Sequence, residues 1–219
     1  MKKNERSFIL IKKEIIPVKE KENPTKGETT RLAIEDAAFS LFMEQGYHAT
    51  SMRQIAERSE LALGGIYNHF ASKDEIFGAL IIDKHPFKQI LPSILAAEGE
   101  TAEEFFRDAA QAFITELGNR PNSMKLMFIE LVEFNGKHMP AIVGQIAPKI
   151  LPVFERMVKH RKKLRSINPA ILMRSFLGTV FSFYMTELLI GDTLKKLMPK
   201  NSFEQYIDVF LHGILKETE

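Results

Sequence analysis

Residues Thr50 to Phe70 read Thr-Ser-Met-Arg-Gln-Ile-Ala-Glu-Arg-Ser-Glu-Leu-Ala-Leu-Gly-Gly-Ile-Tyr-Asn-His-Phe. Met52, Ile55 and Ala56 fall at i, i+3 and i+4, which is one face of a helix. Ile66, Tyr67 and Phe70 lie at helical spacing again, beyond an interval of Ser59, Glu60 and Leu61. The Thr50 hydroxyl is placed to accept from a free N–H at the start of the first helix. Two short helices about a tight turn, the second led by small residues, are how a helix-turn-helix reader of DNA is built.

The segments around this unit are also helical. Thr29 or Thr30 is expected to cap a helix running to about Gln45, with Ile34, Ala38, Leu41 and Phe42 on its apolar face and Gly46 as its stop. Ser72 caps another, with Asp74 and Glu75 in its first turn, where the helix dipole favours acids. Thr101-Ala-Glu-Glu104 resembles a capping box, opening a helix to Gly118. A further helix begins at Pro121 and reaches about Phe134. The stretch from Pro140 to Leu151 is interrupted by Pro and Gly, so the next helix is placed from Pro152 to about Lys163. Pro169–Ile190 and Ser202–Lys216 complete the pattern. No strand-like alternation appears after Thr101, so the expected fold class is all-α.

Residues 1–28 are rich in Lys and Glu, contain Pro17 and Pro24, and lack helical periodicity. They read as a flexible, solvated tail with a small positive excess, able to touch DNA phosphates. Its Phe8–Ile11 patch fits either a short strand or a docking segment. The chain holds no cysteine, which excludes disulfides and zinc–thiolate sites. The six histidines show no metal-ligand spacing. No apolar run approaches the ~20 residues of a membrane span, and none at the N-terminus is long enough for a signal sequence. A cytoplasmic protein without metal, cofactor or membrane contact is expected. No nucleophile–base pair or phosphate-cradling loop stands out, so an enzyme is not expected.

An ordered series resembles the TetR family of bacterial transcriptional regulators. It comprises Arg31-Leu-Ala-Ile34, Ala37-Ala38, Leu41-Phe42, Gln45-Gly46-Tyr47, Ile55-Ala56, Gly64, Ile66-Tyr67, Phe70 and Ser72-Lys-Asp-Glu75. Beyond the flexible tail 1–28, the resemblance implies a helix-turn-helix DNA-binding domain over 29–83 and a helical ligand-binding and dimerisation domain over 84–219. It implies a homodimer on a two-fold symmetric double-stranded operator, most simply a repressor released by a small-molecule effector. An effector-independent DNA-binding factor or an activator of the same fold is the alternative. Two positions depart from the pattern: Glu60 stands where the family favours Gly in the turn, and Ala62 where it often has Ser.

Within that frame, Ala62, Gly64 and Gly65 are small enough for close approach to the groove. Leu63 either faces a thymine methyl or belongs to the core. Tyr67, His69 and Lys73 resemble the family's phosphate contacts, with Asn68 beside them. Arg53 is placed to reach a phosphate or a base edge, and the Thr50 N–H to meet a phosphate. Acidic residues outnumber Arg31, Arg53, Arg58 and Lys73 across 29–80, so bulk charge supplies little of the affinity. In the second domain, Phe128, Phe134, Phe154, Phe181 and Tyr184 are the candidates for an apolar effector pocket. Glu130, Glu133 and Glu187, in otherwise apolar helices, leave a cationic effector open. The basic run Lys159–Arg165 reads as a solvated helix end.

Overall fold

The structure is a computed structural model that describes residues 8–11, 14–17, 24–159 and 164–214. Strands β1 (Phe8–Ile11) and β2 (Glu14–Pro17) pair antiparallel, with Ile9 opposite Ile16. The rest of the described chain is helical, apart from its connections and a single bridge at Leu164. Helix α1 spans Lys26–Gln45, α2 Met52–Arg58, α3 Leu63–Tyr67 and α4 Lys73–Lys84. Then come α5 (Pro86–Ala96), α6 (Ala102–Gly118), α7 (Pro121–Phe134), α8 (Met139–Lys159), α9 (Pro169–Lys195) and α10 (Ser202–Ile214). The last turn of α9 is broken at Gly191, whose φ is +69°. No helix among the described residues is long and apolar enough to cross a membrane.

Several helix starts differ from expectation. Helix α1 begins at Lys26, because Thr25 and Glu28 form a reciprocal capping box ahead of Thr29 and Thr30. Thr25 to Glu28 therefore form the capped start of this helix. Helix α2 is capped by Ser51, not Thr50. The Ser51 hydroxyl accepts from the Gln54 N–H, and Gln54 Oε1 accepts in turn from the Ser51 N–H. Ser72 and Thr101 cap α4 and α6 as their sequences predict.

Two helices exceed the sequence reading. Nothing is assigned between 84 and 100, yet α5 forms there with Pro86 in its first turn, where a missing N–H costs nothing. Helix α8 runs unbroken through Pro148 and Pro152. Those prolines sit four residues apart on the exposed side of α8, where water can satisfy the carbonyls they leave unpaired. Of the basic run Lys159–Arg165, residues 160–163 lie outside the described residues. Arg165 donates to the Gly213 carbonyl at the end of α10.

The first four helices close around Ile34, Phe42, Ile55, Ile66, Phe70, Ile76, Phe77 and Leu80, all buried. Burial of this kind stabilises by roughly 1.5–3 kcal/mol per side chain, which lets the short helices α2 and α3 persist. The turn between them places Glu60 at φ +57°. Carrying a side chain in that left-handed conformation costs about 1–2 kcal/mol. Three backbone bonds hold the turn: Ser59 and Leu61 donate to the carbonyls of Ile55 and Ala56, each at 2.9 Å, and Glu60 to that of Glu57 at 3.3 Å. Asn135, also at positive φ, ends α7.

Candidate DNA-reading surface and effector cavity

Helix α3 presents Leu63, Gly64, Tyr67 and Asn68 to solvent, with Ala62 exposed just ahead of it. At 100° per residue these positions share one side of the helix, while Ile66 anchors the other in the core. Leu63 is 41% exposed and Tyr67 52%. Of the two orientations open to Leu63, the structure adopts the outward one. A methyl group built on Gly64 would meet nothing within 4 Å, and on Gly65 only the Leu61 Cβ at 4.0 Å. No packing inside the protein therefore requires these glycines, although each weakens a helix by roughly 0.5–1 kcal/mol relative to Ala.

Around this face the side chains divide into free and committed groups. The Tyr67 hydroxyl and the Asn68 amide have no hydrogen-bond partner among the described residues. His69 is half-buried, and its carbonyl accepts from Arg31 Nη1 at 3.3 Å. Arg31 also stacks over the Phe70 ring, 4.0 Å from the centroid, and pairs with Glu35 at 3.2 Å. It thus pins α1 to the end of α3, a structural task its sequence pattern does not reveal. Arg53 pairs with Glu57 at 3.1 Å across one helical turn, both side chains well exposed. Such a pair is worth about 0.3–0.5 kcal/mol, so Arg53 is readily redirected.

Thr50 and Lys73 depart from expectation. Thr50 is only 2% exposed. Its hydroxyl donates to the Gly46 carbonyl at 2.8 Å and accepts from Gln45 Nε2 at 3.2 Å. Its N–H is taken by the Tyr47 carbonyl. It neither caps α2 nor offers a donor to phosphate. Lys73 Nζ donates to the carbonyls of Tyr47 and Thr50, both at 2.6 Å, and lies 4.1 Å from the Tyr47 ring centroid. Burial lowers its pKa, against opposing charges from Asp74 and Glu133. Lys73 therefore ties α4 to the α1–α2 loop, leaving one of its three N–H donors for anything outside.

Above this head, α7 makes the connection to the second set of helices. Phe134 stacks on Phe77 of α4 at a centroid distance of 4.5 Å and meets Tyr47 edge-on at 5.0 Å. Tyr47 is itself hydrogen-bonded to Asp74, and burial followed by that bond raises its pKa. Glu130, 2% exposed, accepts from the His138 N–H at 2.7 Å and lies 2.7 Å from His138 Nδ1. The His138 ring packs on Gly78, where an added Cβ would sit 2.9 Å from Nε2. His48 pairs with Glu133 across the same junction.

The other end of α7 borders a cavity of about 400 Å³. Met124 and Met127 form that wall, Phe113 and Leu117 of α6 another, and Phe87 and Ile90 of α5 a third. Arg174, Gly178 and Phe181 of α9 complete it. Of the five aromatic residues expected in an effector pocket, Phe181 lines this space. Phe128 instead points to solvent at 43% exposure, and Phe134 is spent in the α4–α7 junction. Tyr184 lies beyond the lining with its hydroxyl 3.5 Å from the Leu117 carbonyl, and burial raises its pKa. The side chain of Phe154 lies outside the described residues. Among the described residues no group of His, Asp and Glu is arranged to hold a metal.

Residues 34–80 match the sequence model of the bacterial regulatory proteins, tetR family. The chain is 24% identical over 190 residues to the uncharacterized HTH-type transcriptional regulator YvkB of Bacillus subtilis, covering 84% of this chain and 97% of that protein. It is equally 24% identical over 199 residues to the HTH-type transcriptional regulator UidR of Escherichia coli, covering 87% and 95%. Among solved structures, native NalD, the secondary repressor of the MexAB-OprM multidrug efflux pump in Pseudomonas aeruginosa, shares the fold. Its TM-score is 0.60 at 20% identity, with 88% of this chain and all of that chain covered.

Proposed function

We propose that this chain, which belongs to the bacterial TetR family of DNA-binding transcriptional regulators, is a homodimeric repressor that leaves its operator when an apolar effector fills the α5–α9 cavity. The family is one of regulators rather than enzymes. What carries the proposal is α7. Met124 and Met127 border the cavity, and Phe134, two turns further along the same helix, stacks on Phe77 of the reading head. A shift of this rod on ligand entry moves α4, and with it the angle of α3.

The head reads DNA through Leu63, Gly64, Gly65, Tyr67 and Asn68, with Ala62 and His69 flanking them and Arg53 swinging off Glu57 to a phosphate. The glycines keep the surface low enough to enter the major groove, and the Tyr67 hydroxyl supplies a phosphate donor. The second subunit docks on α9 and α10, whose Ile171, Leu188, Leu189, Tyr206 and Val209 are exposed although apolar or aromatic. NalD, whose fold is similar, is described as a repressor, in keeping with the sign proposed here. The work is done in the cytoplasm, where the operator is.

Selection of DNA from a random pool by the purified protein tests the reading. A two-fold symmetric site is expected, with half-sites about one helical turn apart or a multiple of it. Recovery of only single, unpaired half-sites would count against the dimer. No enrichment at all would count against sequence-specific reading.

A further inference from the structure

We propose that the effector is a single-chain amphiphile with a terminal anion, its headgroup held by Arg174 and its chain directed inward between α5 and α9. The proposal rests on the cavity being the effector site and goes further by naming the ligand's charge and shape. Among the described residues, Arg174 is the one charged side chain lining the cavity, amid phenylalanine, methionine and leucine side chains. It is exposed, and no carboxylate pairs with it among the described residues. A guanidinium presents a planar fork of donors that matches a carboxylate.

The acids that leave a cationic ligand open in the sequence lie elsewhere. Glu130 is bonded to His138, and Glu133 to His48. Neither these two nor Glu187 lines the cavity. Charge at the site is therefore positive and without a counter-ion among the described residues.

Shape points to a chain. Behind the main cavity lies a second of about 40 Å³, closed off by Ile146, Ile150 and Val153 of α8. The two share a wall of Phe87, Ile90, Met173 and Leu177. Met173 adjoins Arg174 in sequence and is unbranched with three rotatable bonds, so it can yield to a narrow alkyl chain. The path runs from a cationic mouth through an apolar chamber to a narrow apolar extension.

Calorimetric titration of the full-length protein with decanoate, 1-decanol and decyltrimethylammonium tests this. Decanoate is expected to bind at least tenfold more tightly than decanol. Arg174→Gln should remove that advantage while moving the decanol Kd less than twofold. From hexanoate to decanoate, affinity should rise about fourfold per methylene, and Leu177→Trp should abolish the gain from the longer chains. Equal binding of decanol and decanoate, tightest binding of the ammonium, or an Arg174→Gln variant unchanged toward decanoate would overturn the anionic headgroup while leaving an apolar effector site intact. Failure of all three probes to bind would overturn the cavity reading itself.

Discussion

Gly64→Ala separates fold from function at the reading helix. Gly64 lies in the first turn of α3, is exposed, and has no positive φ to protect. A methyl there meets nothing within 4 Å beyond the backbone of its own helix, so the variant adds no clash. It should gain about 0.5–1 kcal/mol from reduced backbone freedom in the unfolded chain. For a protein of this size that is a rise in Tm of about 1–4 °C. The same methyl would project into the space a DNA backbone or base edge must occupy. Operator affinity should fall at least tenfold, equivalent to about 1.4 kcal/mol. Differential scanning calorimetry gives the first quantity and fluorescence anisotropy with labelled operator the second. A variant that is more stable and binds the operator as tightly as the parent would refute the groove-approach argument. A lower Tm would refute the reading of the local packing.

Other substitutions address the remaining parts. Lys73→Met should lower the stability of the head by about 2–3 kcal/mol, since two bonds to a charged donor are lost, and amide exchange should accelerate first over residues 47–51. Tyr67→Phe should leave Tm unchanged yet weaken specific and random DNA by the same factor; a change in sequence preference would contradict a phosphate role. Gly78→Ala should cost about 1–3 kcal/mol by overpacking against the His138 ring, and His138→Ala should relieve most of it in a double-mutant cycle. His85 is fully buried between α4 and α5, its Nδ1 accepts from the Phe87 N–H, and burial lowers its pKa to about 4. A base whose pKa falls on folding contributes stability in full above about 6.5, and that contribution is lost as pH drops toward 4. His85→Gln should flatten the pH dependence of unfolding in that window, by up to roughly 3 kcal/mol across it.

The helix-turn-helix, the caps at Ser72 and Thr101, and the apolar face of α1 are visible in the sequence because they are local. A cap lies three residues from its partner, and a face repeats every turn. Where two candidate caps adjoin, the decision rests on the third residue on. Gln54 completes a box with Ser51, whereas Arg53 offers none to Thr50. Helix α8 escapes the local rule because a proline's cost depends on whether its side of the helix meets water. Lys73 escapes because the carbonyls it binds lie more than twenty residues away. Periodicity alone assigns Phe134 to the pocket. Spacing identifies an inward-facing ring, but not that the end of α7 abuts α4 while its start faces the cavity.

A ligand that disfavours the DNA-bound geometry must bind the DNA-free protein more tightly by the same factor. The most direct test measures the operator Kd by anisotropy with and without a saturating amount of whichever decyl probe binds the free protein most tightly. The account predicts at least a tenfold weakening, matched by an equal weakening of probe affinity for the operator complex. An operator Kd unchanged while the probe demonstrably occupies the cavity would contradict it.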